Sequence, residues 1–503
     1  MGQLIALDPV TRIEGHLSIK IETENNRINN ASCSGDMFRG FEQILQGRNP
    51  LDAPIITQRI CGICPISHAI ASVSALEAAF NVAPPSNAIL LRNLMLGADF
   101  IQSHILHFYH LSALDFIDVQ AILKYQGSDT SLLGFQAWVK EQLSSNVLYP
   151  ASPFLPRYSG DYIGDPELNT TGIKHYLEAF EMRMMAHQAA ALFSGKMPHS
   201  ASIVPGGSSE HPAQDAIDKY RTIMQKLVDF IEKSYIPDVI EISKAFPSYF
   251  SVGAWKGGFL CVGVFPEINN QLKNFIPSGV CFENKVEALD EKAFTEDSKF
   301  SYFSSSGILH PSQGETNASP GKTGAYSWIK APRYNGKPLE VGPLARAMVS
   351  YPDKNHPFTK EIDDLLKYLN LNISQLHSVF GRHAARALET KIIARKCLEW
   401  ISQLKPGDGV FTSFTQPDSG KSVGYVEAPR GSLNHWIQFS GGKIGSYQCV
   451  VPTTWNCSPR DSNGTPGPVE QALLDTAIAD PGNPIEAARV VRSFDPCLAC
   501  AVH

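Results

Sequence analysis

Residues 59–68 read RICGICPISH, and residues 495–503 read DPCLACAVH. Each stretch holds two cysteines that are separated by two residues: Cys61 and Cys64 in the first, and Cys497 and Cys500 in the second. Four thiolates in two such pairs suit a soft or borderline metal, such as zinc, nickel or an iron–sulfur cluster. If both pairs bind one site, the beginning and the end of the chain meet there. We therefore expect residues 1–503 to form a single interwoven domain.

The residues around the first pair favour a reactive site. Gly62 permits a tight backbone between Cys61 and Cys64, and Pro65 suits the first turn of a helix. His68 would then share a helical face with Cys64, within reach of whatever the sulfurs bind. The alternatives are a structural zinc site, which is the commonest use of paired cysteines, and a dithiol redox motif. Zinc fingers close short loops in folds that lack a core, whereas these ligands span a chain large enough to have one.

The composition excludes several classes of protein. Of the 503 residues, 43% are hydrophobic and only 18% are charged, which excludes a disordered chain and indicates surface covered by another subunit. The net charge of −6 is spread without long blocks of one sign, so we expect no nucleic-acid partner. No apolar run reaches the roughly 18 residues of a transmembrane helix. The first nine residues lack a signal peptide's features, and the ten cysteines are too uneven for a secreted disulfide framework.

The sequence pattern predicts an α+β fold that is predominantly helical, with a large helical-bundle core and small β-sheets at its periphery. Apolar and polar residues alternate over Leu17–Glu22 and an Asn-rich turn follows, which predicts an early β-hairpin. The long apolar stretch from Ser86 to Phe116 predicts a buried helix. Further helices are expected at about 173–195, 213–245, 358–370 and 383–404. Segments rich in Gly, Pro and Ser lie between these helices: 197–212, 303–344, 405–431 and 456–486. They are long for structureless loops in a compact domain, so we expect some of them to be functional or packed over a partner.

The chain resembles the large subunit of nickel–iron hydrogenases from end to end. Besides the two cysteine motifs, the resemblance covers DPVTRIEGH at 8–16, FRGFE at 38–42, HFYH at 107–110, GETN at 314–317, APRY at 331–334, VGPLAR at 341–346 and EAPRG at 427–431. The compact length and SHILH at 103–107 are most similar to the periplasmic nickel–iron–selenium group. The resemblance implies the large-subunit fold of nickel-dependent hydrogenases and the activity of an oxidoreductase that takes H2 as its substrate.

The resemblance implies a binuclear nickel–iron centre on the four cysteines. Cys61 and Cys497 would be terminal ligands of Ni, while Cys64 and Cys500 would bridge Ni to an Fe that also carries CO and cyanide. Thiolates are soft, electron-rich donors that favour nickel and hold it near its redox changes. The reaction implied is the reversible heterolytic cleavage of H2, in which a terminal sulfur, that of Cys497, takes the proton.

The resemblance places the glutamate of the RIEGH motif, Glu14, beside the terminal sulfur of Cys497. Glu14 would then receive the proton and pass it on. Taken from the residues alone, Glu14 has another reading, because it could pair with Arg12 or lie on the surface at the start of a strand.

Four further residues are implied to surround the nickel–iron centre. Arg430 would project over the Fe side and hydrogen-bond a cyanide or polarise bound hydrogen, with Pro429 and Thr453 also in contact with the centre. His68 would donate a hydrogen bond to a bridging sulfur and tune its basicity. The structural alternatives are an arginine that anchors the APRG turn and a buried histidine that is satisfied in the core.

A second metal site is implied near the end of the chain. Glu42, the backbone carbonyl of Cys449 and the imidazole of His503 would hold a Mg ion, or sometimes Fe, that fixes the C-terminus in the core. A carboxylate with a carbonyl is typical of Mg, while the imidazole leaves the identity of the metal open. Precursors in the family carry a C-terminal extension that a protease removes after the residue matching His503, so we expect this chain to be the processed form.

The remaining cysteines indicate that electrons leave through another polypeptide. Once four are assigned to metal, six others show no iron–sulfur cluster spacing: Cys33, Cys261, Cys281, Cys397, Cys449 and Cys457. The resemblance identifies the partner as an iron–sulfur small subunit, which forms a heterodimer with this chain and passes electrons to a cytochrome or another carrier. That subunit would carry a twin-arginine export signal and bring this chain to the periplasm. Cytoplasmic and membrane-associated locations stay open.

Two positions depart from the standard pattern. Ser103 stands where many large subunits have Asp, which removes one carboxylate from above the metals. Cys497 stands at the selenocysteine position of the nickel–iron–selenium group, and ordinary translation or recombinant substitution would also give Cys, so both residues stay open. The alternative functions are a hydrogen-sensing regulatory subunit, a structural zinc protein and a quinone-reductase subunit of respiratory complexes. Because this chain retains all four cysteines, the quinone-reductase subunit is disfavoured.

Overall fold

The computed structural model describes residues 2–145, 160–305 and 307–503. Its α-helices are α1 Phe41–Leu45, α2 Ala53–Thr57, α3 Pro65–Phe80, α4 Ser86–Ile105, α5 Thr130–Ser145, α6 Pro166–Ser194, α7 Gln214–Phe230, α8 Ile236–Ala245, α9 Pro343–Ser350, α10 Pro357–Leu369, α11 Val379–Gln403, α12 Pro452–Asn456, α13 Pro468–Leu473, α14 Ile485–Ser493 and α15 Leu498–Ala501. Its strands are β1 Gln3–Leu7, β2 Leu17–Glu24, β3 Arg27–Gly35, β4 Ile203–Val204, β5 Gly207–Ser208, β6 Gly258–Glu267, β7 Asn270–Phe282, β8 Lys285–Glu287, β9 Phe294–Asp297, β10 Ile308–Leu309, β11 Ala331–Tyr334, β12 Leu339–Glu340, β13 Gly420–Ala428, β14 Gly431–Ser440 and β15 Lys443–Val450.

The core is a bundle of the long helices α4, α6, α7 and α11. Helix α4 packs against α6 and α11, and α7 packs against the same two helices. Helix α4 is buried along its whole length except at its first residue, because its side chains are apolar on nearly every face. The α+β class and the helical core predicted from the sequence are therefore confirmed.

The predicted helices are present, but two of them change geometry along their length. The predicted helix from Ser86 to Phe116 is α4 followed by a π-helical turn at Leu106–Ser112 and a 3-10 turn at Ala113–Asp115. The predicted helix at 213–245 is α7, a π-helical turn at Ile231–Tyr235 and α8. The three others correspond to α6, α10 and α11, and each of these helices begins earlier than predicted. The side chains of Asp165, His356 and Ser378 cap their first turns, which explains those starting points.

All four segments rich in Gly, Pro and Ser contain regular elements. The segment 197–212 contains β4 and β5, and 303–344 contains β10, β11, β12 and the start of α9, while Ser306 lies outside the described residues. The segment 405–431 contains β13, and 456–486 contains α13 and the first residues of α14. Two of these strands pair with distant segments, β12 with β6 and β11 with β9, so local composition does not reveal them. Helices α5, α9 and α14 were also not predicted.

Small antiparallel sheets surround the bundle and position the site. The predicted hairpin is β2–β3, whose turn residues Asn25 and Asn26 adopt the left-handed conformation that such a turn requires. The sheet β13–β14–β15 packs on α3, and its strand β13 carries Gly424 at the closest approach. A Cβ added to Gly424 would lie 2.0 Å from the carbonyl oxygen of Ala71, so only glycine allows α3 and the sheet to approach this closely.

The beginning and the end of the chain are joined by backbone hydrogen bonds. The N–H of Leu498 donates to the carbonyl of Glu14 over 2.8 Å, and the N–H of Glu14 donates to the carbonyl of Pro496 over 3.3 Å. The two cysteine motifs are thereby brought to the same place in the core. Among the described residues, no helix is both long and apolar enough to cross a membrane.

Candidate metal centre

Each cysteine pair lies at the start of a helix. Cys61 is extended and Cys64 is the residue before the first turn of α3, where Pro65 begins the helix as predicted. Cys497 occupies the corresponding position before α15, which contains Cys500. The first sulfur of each pair thus comes from a non-helical residue and the second from a helix start or its first turn. This arrangement lets both sulfurs of a pair face one point.

The four sulfurs converge in a buried cluster. The Sγ–Sγ distances are 3.4 Å between Cys61 and Cys497, 3.5 Å between Cys64 and Cys500, and 3.1 Å between Cys497 and Cys500. All four Sγ atoms lie within 4.8 Å of one another. Four thiolates that are each about 2.3 Å from one ion are roughly 3.3–3.8 Å apart, so the observed cluster fits a metal with four sulfur ligands.

Glu14 lies beside the sulfur of Cys497. The Sγ of Cys497 donates to Oε2 of Glu14 over 3.1 Å, and the N–H of Ala499 donates to the same oxygen over 2.9 Å. Burial and the neighbouring Cys61 raise the pKa of Glu14 above its ordinary value, although these two hydrogen bonds oppose that shift. The alternative partner Arg12 binds the carboxylate of Asp115 instead.

Glu14 also faces a cleft of about 340 Å³. Its lining includes His16, Met37, Arg39 and Arg59. The carboxylate of Glu14 therefore lies between the buried sulfur of Cys497 and a space that opens to the outside of the chain. This position suits a group that moves a proton from the cluster toward the surface.

Arg430 lies in the turn between β13 and β14 and reaches the other side of the cluster. Its Nε donates to the carbonyl of Asp495 over 3.0 Å, and its Nη1 donates to Oγ of Ser103 over 3.3 Å. Its Nη2 is 3.0 Å from Oδ1 of Asp495, an ion-pair distance without hydrogen-bond geometry. Burial alone would lower the pKa of Arg430, but the charges of Asp495 and the cysteine sulfurs raise it well above its ordinary value. The guanidinium therefore keeps its charge, and its Nη2 group, which faces Asp495, makes no hydrogen bond and can donate one to a ligand.

Pro429 and Thr453 position the backbone of the site. The carbonyl of Pro429 accepts a hydrogen bond from Nη2 of Arg346 over 2.8 Å. The hydroxyl oxygen of Thr453 accepts from the N–H of Cys497 over 2.9 Å. Thr453 thus fixes the orientation of Cys497 within the sulfur cluster.

His68 is the first member of a buried chain of polar contacts. Its Nε2 is 3.6 Å from Sγ of Cys500, and its Nδ1 is 3.2 Å from Nε2 of His435. His435 in turn contacts the hydroxyl of Tyr447 over 2.8 Å, and that hydroxyl donates to Ser72. Burial lowers the pKa of His68 to about 4, so the ring is neutral near pH 7.

The residues of the second implied site also lie together. Ligand atoms of Glu42, Cys449 and His503, all buried, lie within 4.8 Å of one another. Burial would raise the pKa of Glu42, but Lys330 and His503 lower it to about 2, so its carboxylate is charged. Thr316 donates to Oε2 of this carboxylate, leaving Oε1 to face His503 and the backbone of Cys449.

Several residues around the centre were not identified from the sequence. Arg39 donates to the carbonyls of Ile60 and Ala499 and so joins the two cysteine motifs. On α4, Gln102 donates to the carbonyl of Ile63 over 2.7 Å and to Asp99 over 3.1 Å. Two signals were available in the sequence, because Arg39 lies in the FRGFE motif and α4 places polar residues within an otherwise apolar helix.

Comparison with known families gives matches over nearly the whole chain. A family model described as nickel-dependent hydrogenase matches residues 39–503, and a second one, described as HoxL-like, matches residues 4–33. The periplasmic NiFeSe hydrogenase large subunit of Desulfomicrobium baculatum is 40% identical to this chain, with 99% of this chain and 94% of the relative covered. The hydrogenase-2 large chain of Escherichia coli (strain K12) is 35% identical, with 100% and 97% covered.

Solved structures give the same result. The Ni-Fe-Se hydrogenase from D. vulgaris Hildenborough in the reduced state is 41% identical, covers 100% of both chains and has a TM-score of 0.90. The NiFeSe hydrogenase of Dm. baculatum is 39% identical, also covers 100% of both chains and has a TM-score of 0.90. These likenesses extend over the complete fold and include both cysteine motifs.

Proposed function

The chain belongs to the nickel-dependent hydrogenase family as a large subunit, and from this premise we propose that it oxidises H2 reversibly at a nickel–iron centre. The family membership confirms the expected large-subunit fold and the oxidoreductase class. The observation that carries the proposal is the buried cluster of four sulfurs, which provides the thiolates that nickel favours.

Cys61, Cys64, Cys497 and Cys500 would hold the Ni of the proposed centre, and Cys64 and Cys500 would also hold the Fe, which would carry CO and cyanide. When bound, this centre supplies the redox change and the Lewis acidity that heterolytic cleavage of H2 requires. The Nη2 group of Arg430 is the donor available to a cyanide or to hydrogen on that side. Cys and selenocysteine both remain compatible with position 497, and mass spectrometry of the C-terminal peptide distinguishes them.

The chain's own groups move the proton. In the proposed cycle the sulfur of Cys497 holds the proton and Glu14 receives it, since Oε2 is 3.1 Å from that sulfur. The N–H of Ala499 orients the carboxylate, and the cleft behind Glu14 gives the proton a way out. The raised pKa of Glu14 supports this role, because a carboxyl that titrates closer to neutrality exchanges protons more readily.

Electrons would leave through an iron–sulfur small subunit in a heterodimer, and from there reach a cytochrome or another carrier. Among the described residues, the groups of side chains that could bind a metal are the four-cysteine group and the Glu42 group. We also propose that the complex is exported to the periplasm, the location named for the D. baculatum relative. A Mg or Fe ion held by Glu42, Cys449 and His503 completes the proposal.

The proton role is tested by Glu14→Gln in the purified heterodimer. We expect exchange between H2 and D⁺ of the solvent to fall by roughly 100-fold or more, a contribution typical of a positioned acid–base group, while para/ortho hydrogen conversion continues. Glu24→Gln, an exposed glutamate of β2, is the matched control and should leave both rates unchanged. If solvent exchange in Glu14→Gln keeps the normal rate, Glu14 is not the proton acceptor.

The metal content is tested on the same protein. We expect Ni near one atom per chain together with infrared bands of CO and cyanide. A chain that contains zinc in place of nickel, without those bands, would be the structural zinc protein. Rapid turnover with a redox dye would separate the enzyme from a hydrogen-sensing subunit.

A further inference from the structure

The loop that joins Cys61 to Cys64 contains a hydrogen bond to a sulfur of the cluster. The backbone N–H of Ile63 donates to Sγ of Cys61 over 3.3 Å. Gly62, which precedes Ile63, is exposed, and a Cβ added to it would meet no atom of the described chain within 4 Å. Glycine lets its neighbouring peptide planes rotate easily, and packing does not hold this one. The direction of the Ile63 N–H must therefore be fixed by another contact.

Gln102 of α4 supplies that contact. Its Nε2 donates to the carbonyl oxygen of Ile63 over 2.7 Å, which fixes the peptide plane that leads from Ile63 into Cys64. Ile63 is thus held at both ends, because its carbonyl binds Gln102 and its N–H binds Cys61. Gln102 is fully buried in a helix that is itself buried beyond its first residue, so the loop is attached to the close-packed core of the chain.

Two further partners orient the amide of Gln102. Its Nε2 also donates to Oδ1 of Asp99, one turn earlier on α4, over 3.1 Å. Its Oε1 accepts from Nε of Arg183 on α6 over 3.4 Å. Both N–H groups of the amide are therefore used, and a flipped amide would place its oxygen against the acceptor oxygens of Ile63 and Asp99. Burial raises the pKa of Asp99 to about 8, so near pH 7 its carboxyl is neutral and still offers Oδ1 as an acceptor.

We propose that Gln102 is a positioning residue for Cys61, which holds the Ile63 N–H on the sulfur and so raises the reduction potential of the nickel–iron centre. A hydrogen bond to a metal-bound sulfur withdraws electron density from it and stabilises the more electron-rich state of the metal. Asp99 and Arg183 act through Gln102, whose amide they orient. This role rests on the proposed nickel–iron centre and adds to it a residue that sets its potential.

The test is Gln102→Leu in the purified heterodimer. The infrared bands of CO and cyanide follow the reduction of the centre as the applied potential is lowered. At a fixed potential we expect the ratio of oxidised to reduced centre to rise about 3–10-fold, which is a shift of about 30–60 mV for one electron, because the hydrogen bond that favours the reduced state is lost. An unchanged potential in Gln102→Leu overturns the proposal.

Gln136→Leu is the matched control. Gln136 of α5 is also buried, and its Nε2 also donates to backbone carbonyls, those of Ile122, Leu123 and Tyr125. None of these carbonyls belongs to a cysteine motif, so this variant should keep the wild-type potential. A shift as large as that of Gln102→Leu would mean that the potential follows the loss of any buried hydrogen bond, and would contradict the proposal.

Two variants of Asp99 test how Gln102 is oriented. Asp99→Asn keeps an oxygen that can accept from Gln102, and we expect it to keep the wild-type potential. Asp99→Leu removes that acceptor and should lower the potential in the same direction as Gln102→Leu. A shift in Asp99→Asn together with none in Asp99→Leu contradicts the proposed role.

A crystal structure of the wild-type heterodimer tests the proposal even if Gln102→Leu does not fold. We expect Nε2 of Gln102 at hydrogen-bond distance from the Ile63 carbonyl, and the Ile63 N–H directed at Sγ of Cys61. An Ile63 N–H that points away from this sulfur overturns the proposal. The Ni content and the infrared bands of the wild type report on the nickel–iron centre itself, so the absence of that centre is distinguished from the failure of this role.

Discussion

The guanidinium of Arg430 is held in one orientation by its hydrogen bonds. Nε is bound to the carbonyl of Asp495 and Nη1 to Ser103, which leaves Nη2 as the group that can act on a ligand of the centre. A lysine has a single ammonium and cannot satisfy these positions together. Ser103 accepts one of these hydrogen bonds and therefore helps to orient Arg430.

The substitution Arg430→Lys tests whether Arg430 acts on a ligand of the centre. We expect kcat to fall by roughly 10–100-fold, since a charge-assisted hydrogen bond contributes about 1.5–3 kcal/mol. The infrared bands of cyanide should shift, because their hydrogen-bond donor has moved. Arg395→Lys, whose partner is Glu232 on the surface, is the control and should leave both unchanged. Wild-type turnover with unshifted bands would show that Arg430 only anchors its turn.

The sequence could predict the candidate site residues but not the residues that support them. The four cysteines, Glu14 and His68 lie in motifs whose spacing or resemblance points to them. His435 and Tyr447 come from β14 and β15, and they meet His68 only because the sheet packs on α3. A single histidine in a strand has no local signal that gives its partner, so the chain of contacts behind Cys500 became visible only in the structure.

At the scale of elements, helices were easier to predict than strands. The long apolar stretches gave α4, α6, α10 and α11, because a helix depends on neighbours within its own segment. The parallel pair β12 and β6 joins segments far apart in the sequence, with only two residues in β12. Local propensity cannot specify such a pair, since what stabilises it is packing that exists only in the folded chain.

The contact between α3 and β13 links the sheet to the cysteine cluster, because α3 directly follows Cys64 and carries His68. We expect Gly424→Ala to destabilise the protein by about 1–3 kcal/mol, because the added Cβ would lie 2.0 Å from the Ala71 carbonyl and 2.5 Å from the Ala75 nitrogen. Thermal unfolding of the heterodimer measures the loss, and the Ni content should fall as α3 is displaced.

Gly445→Ala in β15 is the control for this change. The nearest atom to a Cβ at Gly445 is 3.8 Å away, so that variant should unfold at the wild-type temperature. Equal stability of the two variants would mean that the close approach of α3 and β13 is not required.

At the scale of the whole molecule, contacts between the two ends of the chain join the fold. Cys33 donates its N–H to Glu470 over 2.9 Å, and Arg460 donates to Asn30 over 2.6 Å. The backbone bonds between Glu14 and Leu498 add to these. We therefore propose that residues 1–503 form one interwoven domain, in which neither end can be removed without opening the metal centre.

A buried ion-pair cluster at Asp115 fastens these ends to the helical core. Its carboxylate binds Arg12 from the N-terminal segment and Nη1 of Arg492 from α14, the latter over 2.7 and 2.9 Å, while Arg489 donates to its carbonyl. Burial alone would raise the pKa of Asp115, but the three guanidinium groups hold it below its ordinary value. Asp115 lies in the 3-10 turn that follows α4, and its carboxylate thus joins this part of the helical core to the N-terminal segment and to α14.

Replacing Asp115 by Asn should therefore destabilise the whole chain. At pH 7 we expect a loss of about 3–5 kcal/mol, because buried arginines lose their counter-charge. A carboxyl whose folded pKa lies below its unfolded value of about 3.9 contributes stability above that pH and loses it as the pH falls through the folded pKa. The difference in unfolding temperature between wild type and Asp115→Asn should thus be constant from pH 7 to about 5 and narrow below about 4. Asp364→Asn, which removes an exposed pair with Lys360, is the control and should leave the unfolding temperature nearly unchanged at every pH. If the difference in unfolding temperature between wild type and Asp115→Asn stays equally large under acid conditions, packing rather than charge holds the two ends of the chain to the core.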